Sequence, residues 1–179
     1  MRPDLVVPGE NEEKFIVAKE TRVCTVPFTP LEERMLKEKP YLMERTNVRF
    51  MEADTLADKI DVATIDVAFI SLDKVLPAAR NILAADGSII ALIKPQFEAG
   101  KENVGKKGVV RDARIHAEVI RKILSIARGE DLVPAGLDYS PIKGPEGNIE
   151  FLLYLTMQGE DKVDETKVDS VVAASHGEL

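Results

Sequence analysis

The chain has 179 residues, 45% hydrophobic and 31% charged, with no tryptophan, a balance that fits one soluble domain and excludes a disordered or membrane-spanning polypeptide. A single cysteine, Cys24, excludes an internal disulfide, and one cysteine with two histidines cannot build a zinc cluster. Met1-Arg2-Pro3-Asp4 does not open a signal sequence, so the expected compartment is the cytoplasm, with no membrane contact.

The short apolar runs alternate with helical patterns, which predicts an α/β chain. Asp4–Val7 reads as a first strand, Pro8-Gly9-Glu10-Asn11 as a turn into a short helix ending near Glu20, and Arg22–Val26 as a second strand. Pro30–Lys37 reads as a helix opened by Thr29 and Pro30, followed by a short strand over Tyr41–Met43. Ile65–Ile70 and Ser88–Ile93 are near-continuous apolar runs, as expected of buried parallel strands. Between them Ser71 caps a helix carrying Val75, Leu76, Ala79, Ile82 and Leu83, with Gly87 beyond its end.

A long polar loop, Gln96–Val110, comes next, and loops of that length are often functional. Asp112 then caps a helix whose Ile115, Val119, Ile120, Ile123, Leu124 and Ala127 share one face, with His116 assigned to the polar side. The last strands, about Leu132–Tyr139 and Ile149–Met157, have no long helix between them and should pair antiparallel. The expected fold is Rossmann-like: a mostly parallel twisted sheet with a C-terminal antiparallel hairpin and helices on both faces. One domain is expected over 1–158, with a disordered acidic tail over 159–179 that holds at most a helical turn near Val168–Ala174 and in which His176 has no partner.

The net charge of −7 is unevenly spread. Residues 159–179 contribute −4, whereas Lys101–Lys122 holds seven bases against three acids. Such a patch attracts phosphate, although a solvated charged face has the same composition. Three charged residues interrupt or border the apolar runs: Asp66 in Ile65–Ile70, Lys94 after Ile93, and Glu150 before Phe151. Ligands of open α/β sheets bind beyond the carboxyl ends of the strands. A lysine flanked there by two carboxylates suits proton handling, and a structural ion pair has the same signature.

Longer motifs surround these residues. They are Glu44-Arg45-Thr46-Asn47-Val48-Arg49, Asp66-Val67-Ala68-Phe69-Ile70-Ser71-Leu72, Leu92-Ile93-Lys94-Pro95-Gln96-Phe97-Glu98-Ala99-Gly100, Gly108-Val109-Val110-Arg111-Asp112 and Ser140–Phe151. From Glu44 to Leu155 the chain resembles the TlyA/hemolysin A family of FtsJ-like methyltransferases. The resemblance implies ribose 2′-O-methylation of ribosomal RNA from S-adenosylmethionine by a Lys-Asp-Lys-Glu tetrad. Asp66, Lys94 and Glu150 match its last three members; the first lysine and the family's S4 domain have no match here. The cofactor would rest on Gly9, Thr46, Asn47 and Asp66, with Gly9 the single glycine where the family has a glycine-rich loop, so residues 1–40 read as a degenerate cofactor half. Thr46 and Asn47 would equally serve as loop caps. The RNA face would comprise Phe97, Lys101, Lys106, Lys107, Arg111, Arg114 and Lys143, with Phe97 stacking on a base or simply packed. No metal is expected. The alternative is a catalytically inactive RNA-binding or scaffold domain that keeps the same fold.

Overall fold

The computed structural model describes residues 47–54, 56 and 59–179 with their side chains, and residues 3–7, 15–20 and 41–43 as strands. The strands are β1 (Pro3–Val7), β2 (Phe15–Glu20), β3 (Tyr41–Met43), β4 (Ile60–Asp66), β5 (Leu83–Ile93), β6 (Val133–Tyr139) and β7 (Phe151–Thr156). They form one sheet in the order β3-β1-β2-β4-β5-β7-β6. The helices are α1 (Leu76–Ile82), α2 (Pro95–Glu98), α3 (Ala113–Gly129) and α4 (Glu165–Glu178).

The α/β class holds. Parallel ladders, β2 with β4 and β4 with β5, occupy the centre, and the expected antiparallel hairpin closes one edge, with β7 between β5 and β6. At the other edge β1 runs antiparallel to both β2 and β3. The connection from Val7 to Phe15 is too short for a parallel crossover, which takes roughly a dozen residues or more. Phe15–Glu20 is therefore a strand and not the helix expected there, and its Phe-Ile-Val start favours the extended backbone. The expected strand Arg22–Val26, the helix Pro30–Lys37 and Cys24 lie outside the described residues.

Burial alternates along the central strands. Ala63 and Ile65 of β4, Ile89, Ala91 and Ile93 of β5, and Phe151, Leu153 and Leu155 of β7 point into a continuous core. Leu76 and Ile82 of α1, Ile120, Ile123 and Leu124 of α3, and Val168, Val171 and Val172 of α4 belong to the same core. Each such aliphatic side chain stabilises the fold by about 1.5–3 kcal/mol when fully buried. The intervening residues Thr64, Leu92 and Leu152 are half-buried, and Ile90 and Tyr154 are exposed. Among the described residues the helices serve one face of the sheet.

Several boundaries differ from expectation; α1 ends at Ile82, and β5 begins at Leu83 and takes in Gly87, which was expected beyond the helix end. β4 ends at Asp66, and Val67–Ser71 form a bend, so Asp66 stands at the strand's end and not inside it. The acidic segment from residue 159 was expected to be disordered, but most of it forms α4, capped by Asp164. Three of its six acids pair with α3: Arg121 with Glu165 (2.5 Å) and Asp169 (2.7 Å), and Arg128 with Asp161 (2.8 Å). Asp112 caps α3 as expected, accepting from the Arg114 amide, whereas Ser71 caps the short turn Leu72–Lys74, accepting from the Asp73 amide, and not α1, which starts after Val75 without a side-chain cap.

Candidate active site

Strand register brings the three charged residues to one end of the sheet. Ile65 pairs with Ala91 across β4 and β5, and Ile93 pairs with Phe151 across β5 and β7. One step further along, Asp66 leaves β4, Lys94 leaves β5 and Glu150 enters β7. By strand alternation all three fall on the face opposite the helices. Lys94 Nζ forms an ion pair with Asp66 Oδ1; the lysine side chain is 14% exposed and the aspartate 49%.

Glu150 is buried and joins the pair indirectly. Its Oε1 accepts from Gln96 Nε2 at 3.0 Å, and its carboxyl also feels the charge of Lys94. Burial pushes the carboxyl above its ordinary value, as does the Asp66 charge, against the lowering effects of Gln96 and Lys94. Gly144 packs directly on this carboxylate, where a Cβ would collide with Glu150 Oε1. Gln96 and Gly144 were not singled out from the sequence, because nothing distinguishes an amide or a glycine in a polar loop until the fold places it.

Asn148 is a second residue that the sequence did not reveal. Its buried side chain accepts from Val110 N (3.2 Å) and donates to the carbonyls of Gly108 (3.0 Å) and Pro145 (3.0 Å). The Val110 carbonyl in turn bonds His116 Nε2 at 3.1 Å, and His116 Nδ1 lies 2.9 Å from His176 Nε2. His116 is fully buried, contrary to the surface position expected of it, and His176, expected to be alone, is its partner. Since His116 Nε2–H donates to a carbonyl, Nδ1 is the acceptor and His176 the donor. Burial first, then the nearby His176, lowers the His116 pKa from 6.5 to about 4.

The expected RNA-facing residues separate into two sets. Lys101, Lys106, Lys107 and Arg111 are exposed, without an ion pair among the described residues. Lys106, Lys107 and Arg111 line an open cavity of about 390 Å³. Arg114 pairs with Asp112 (2.8 Å) while its side chain stays 86% exposed, and Lys143 Nζ donates to the carbonyl of Leu179 at the surface. Phe97 is half-buried and meets Phe69 at 4.9 Å between ring centroids. Phe69 is 79% exposed and has a φ of 62°, a left-handed backbone that a bulky residue adopts only under constraint.

Of the expected cofactor residues, Gly9 and Thr46 lie outside the described residues. Asn47 caps the turn Val48–Phe50, its Oδ1 accepting from Arg49 N (3.2 Å) and Arg49 Nε (3.1 Å). No group of side chains among the described residues could hold a metal ion, and no described helix is long and apolar enough to cross a membrane.

Comparison with known proteins agrees with this architecture. YqxC of Bacillus subtilis, described as a candidate rRNA methyltransferase, is 42% identical over 168 residues, which is 90% of this chain and 60% of that protein. The Mycobacterium tuberculosis protein TlyA, named 16S/23S rRNA (cytidine-2′-O)-methyltransferase, is 39% identical over 120 residues, 65% of this chain and 44% of its own length. A solved structure from Streptococcus thermophilus, described as a candidate hemolysin, superposes with a TM-score of 0.69 at 42% identity, covering 74% of this chain and 49% of that one. The chain thus spans about half the length of the curated relatives it matches. Residues 11–157 match the family model described as FtsJ-like methyltransferase, and the chain belongs to that family.

Proposed function

We propose that this chain carries the proton-handling and RNA-facing side of a ribose 2′-O-methyltransferase that acts on ribosomal RNA. The observation that carries this reading is the Asp66–Lys94 pair at the open ends of two adjacent parallel strands, with Glu150 arriving at the same end from the antiparallel neighbour. The names of YqxC and TlyA give the substrate class, ribosomal RNA, and that of TlyA gives the 2′-oxygen.

A ribose hydroxyl is a weak nucleophile at neutral pH, so a group beside it must polarise or take its proton. Lys94 is that group: it is mostly buried and aimed by its pairing with Asp66. Glu150, restrained by Gln96, completes the charge around the lysine from the other side. S-adenosylmethionine would supply a methyl group on a cationic sulfonium. Asp66 is the described residue that fits such a cation, being a half-exposed carboxylate at the strand end. The Asn47 side chain is already spent on Arg49. Lys101, Lys106, Lys107 and Arg111 would meet phosphates, and the Phe69–Phe97 pair offers an exposed ring beside the lysine for a base.

The test is transfer of labelled methyl from S-adenosylmethionine to ribosomal RNA, with calorimetric titration of the cofactor alongside. Lys94→Ala should lower transfer about 10²–10⁴-fold, the usual worth of a positioned general base, with cofactor binding nearly unchanged. Full transfer by that variant would remove Lys94 from its role. RNA binding with no heat at millimolar cofactor would leave an RNA-binding domain in place of an enzyme.

A further inference from the structure

The bend after β4 and the turn after β5 face one another along three rungs. Asp66 pairs with Lys94, Phe69 packs on Phe97, and Ser71 and Leu72 both bond Glu98. The third rung is the buried one. The Glu98 side chain is 2% exposed; its Oε2 accepts from Ser71 Oγ at 2.6 Å and its Oε1 from the Leu72 amide at 2.7 Å. Lys122 of α3 closes the site, donating to Glu98 Oε2 (3.3 Å) and to the Glu98 carbonyl (3.2 Å).

A carboxylate so deeply buried is retained only if its partners are fixed, since each unmet bond there carries the full desolvation cost. Glu98 therefore ties the segment that bears Asp66 to the segment that bears Lys94, from below. It also explains how Phe69 is held at a φ of 62°. The bend is pinned at one end by the Asp66–Lys94 pair and at the other by Ser71 and Leu72, and strained backbone persists where both flanks are over-determined. The β4–β5 ladder sets the separation of the two strand ends, and Glu98 fixes the segments that continue beyond it.

We propose that Glu98 is a positioning residue for Lys94: by bonding Ser71 and Leu72 it fixes the Asp66 segment against the Lys94 segment and keeps the lysine shielded in its pair. The kinetic arm of this inference rests on the methyltransferase reading; the chemical arm does not. Glu98→Ala removes all the side-chain bonds, whereas Glu98→Gln keeps an oxygen for the Leu72 amide and an amide that Ser71 Oγ can accept from by rotating its hydroxyl.

The experiment measures the acetylation rate of Lys94 relative to Lys106 by mass spectrometry, with thermal unfolding and, separately, kcat and KM for RNA. In Glu98→Ala the relative acetylation of Lys94 should rise at least about fivefold and kcat should fall about tenfold with KM little changed, and Glu98→Gln should restore most of both. Ser71→Ala, which removes the bond to Glu98 and the cap on the Asp73 amide but leaves the Leu72 bond, should move both readouts the same way by a smaller factor, and it decides the matter if Glu98→Ala does not fold. Unchanged Lys94 acetylation in a folded Glu98→Ala, or in Ser71→Ala when Glu98→Ala is unfolded, overturns the proposal. So does a Gln variant as impaired as the Ala variant. If the wild-type chain transfers no methyl group, the methyltransferase reading fails while the acetylation comparison still decides the role of Glu98.

Discussion

At the scale of single residues, the site concentrates opposed demands on Glu150. Its carboxyl is buried and held above the ordinary value of 4.5, chiefly by desolvation. Between the unfolded and folded values the native state keeps a proton that the unfolded chain has released, so stability falls as pH rises through that window. Above the folded value the whole cost of a buried charge is present. Glu150→Gln keeps an acceptor for Gln96 and removes the charge. We expect its thermal midpoint to exceed that of the wild type at pH 7 and the gap to close towards pH 4, while methyl transfer is lost. Scanning calorimetry at the two pH values checks this; an equal gap at both would show that the charge is not the cause. The three charged residues could be picked out in the sequence because each interrupts or borders an apolar run, where an ionised group needs a partner. Glu98 and Asn148 were not legible, since each falls in a stretch that reads from the sequence as polar loop, where acids and amides are unremarkable until tertiary contacts bury them.

At the scale of elements, α3 was readable and α4 only as a helical turn near Val168–Ala174. The apolar stripe of α3 is dense enough to announce itself, and His116 belongs to it, one helical turn before Ile120 and two before Ile123. Its assignment to the polar face followed residue type and ignored that spacing. In α4 the buried positions Val168, Val171, Val172 and Ser175 also recur at helical spacing, but acids that pair with Arg121 outnumber the signal. The two helices meet at the His116–His176 contact, which is sensitive to acid. The unfolded chain takes up a proton near 6.5, whereas folded His116 refuses one until about 4, so stability drains as pH falls between those values. His116→Gln should flatten the decline of the thermal midpoint between pH 7 and pH 4.5 relative to the wild type. An unchanged slope would place the acid sensitivity elsewhere, for example in the carboxylates of α4.

At the scale of the whole molecule, an acidic chain presents a basic surface beside its site. Glu165 and Asp169 of α4 pair with Arg121, and Asp161 before it with Arg128, which offsets part of the acidic charge that would oppose Lys106 and Lys107 on the loop before α3. Reversing both lysines, Lys106→Glu with Lys107→Glu, should weaken RNA binding and reduce the slope of log affinity against log salt by roughly 1.5–2. Binding titrations at several salt concentrations test this, and an unaltered slope would take both residues off the RNA path. The α/β class and the closing hairpin followed from strand pattern and loop length alone. The edge where β1 runs antiparallel did not, because a weak six-residue strand and a short helix look alike until a neighbouring ladder chooses.

The attachment of Val110 also bears on binding economy. Its amide is held by Asn148 and its carbonyl by His116, both buried side chains. The loop that carries the lysines is therefore rooted before any polyanion arrives. Only the lysine side chains, and not the backbone at that root, must surrender freedom when phosphates are met, so less of the electrostatic gain is cancelled by ordering.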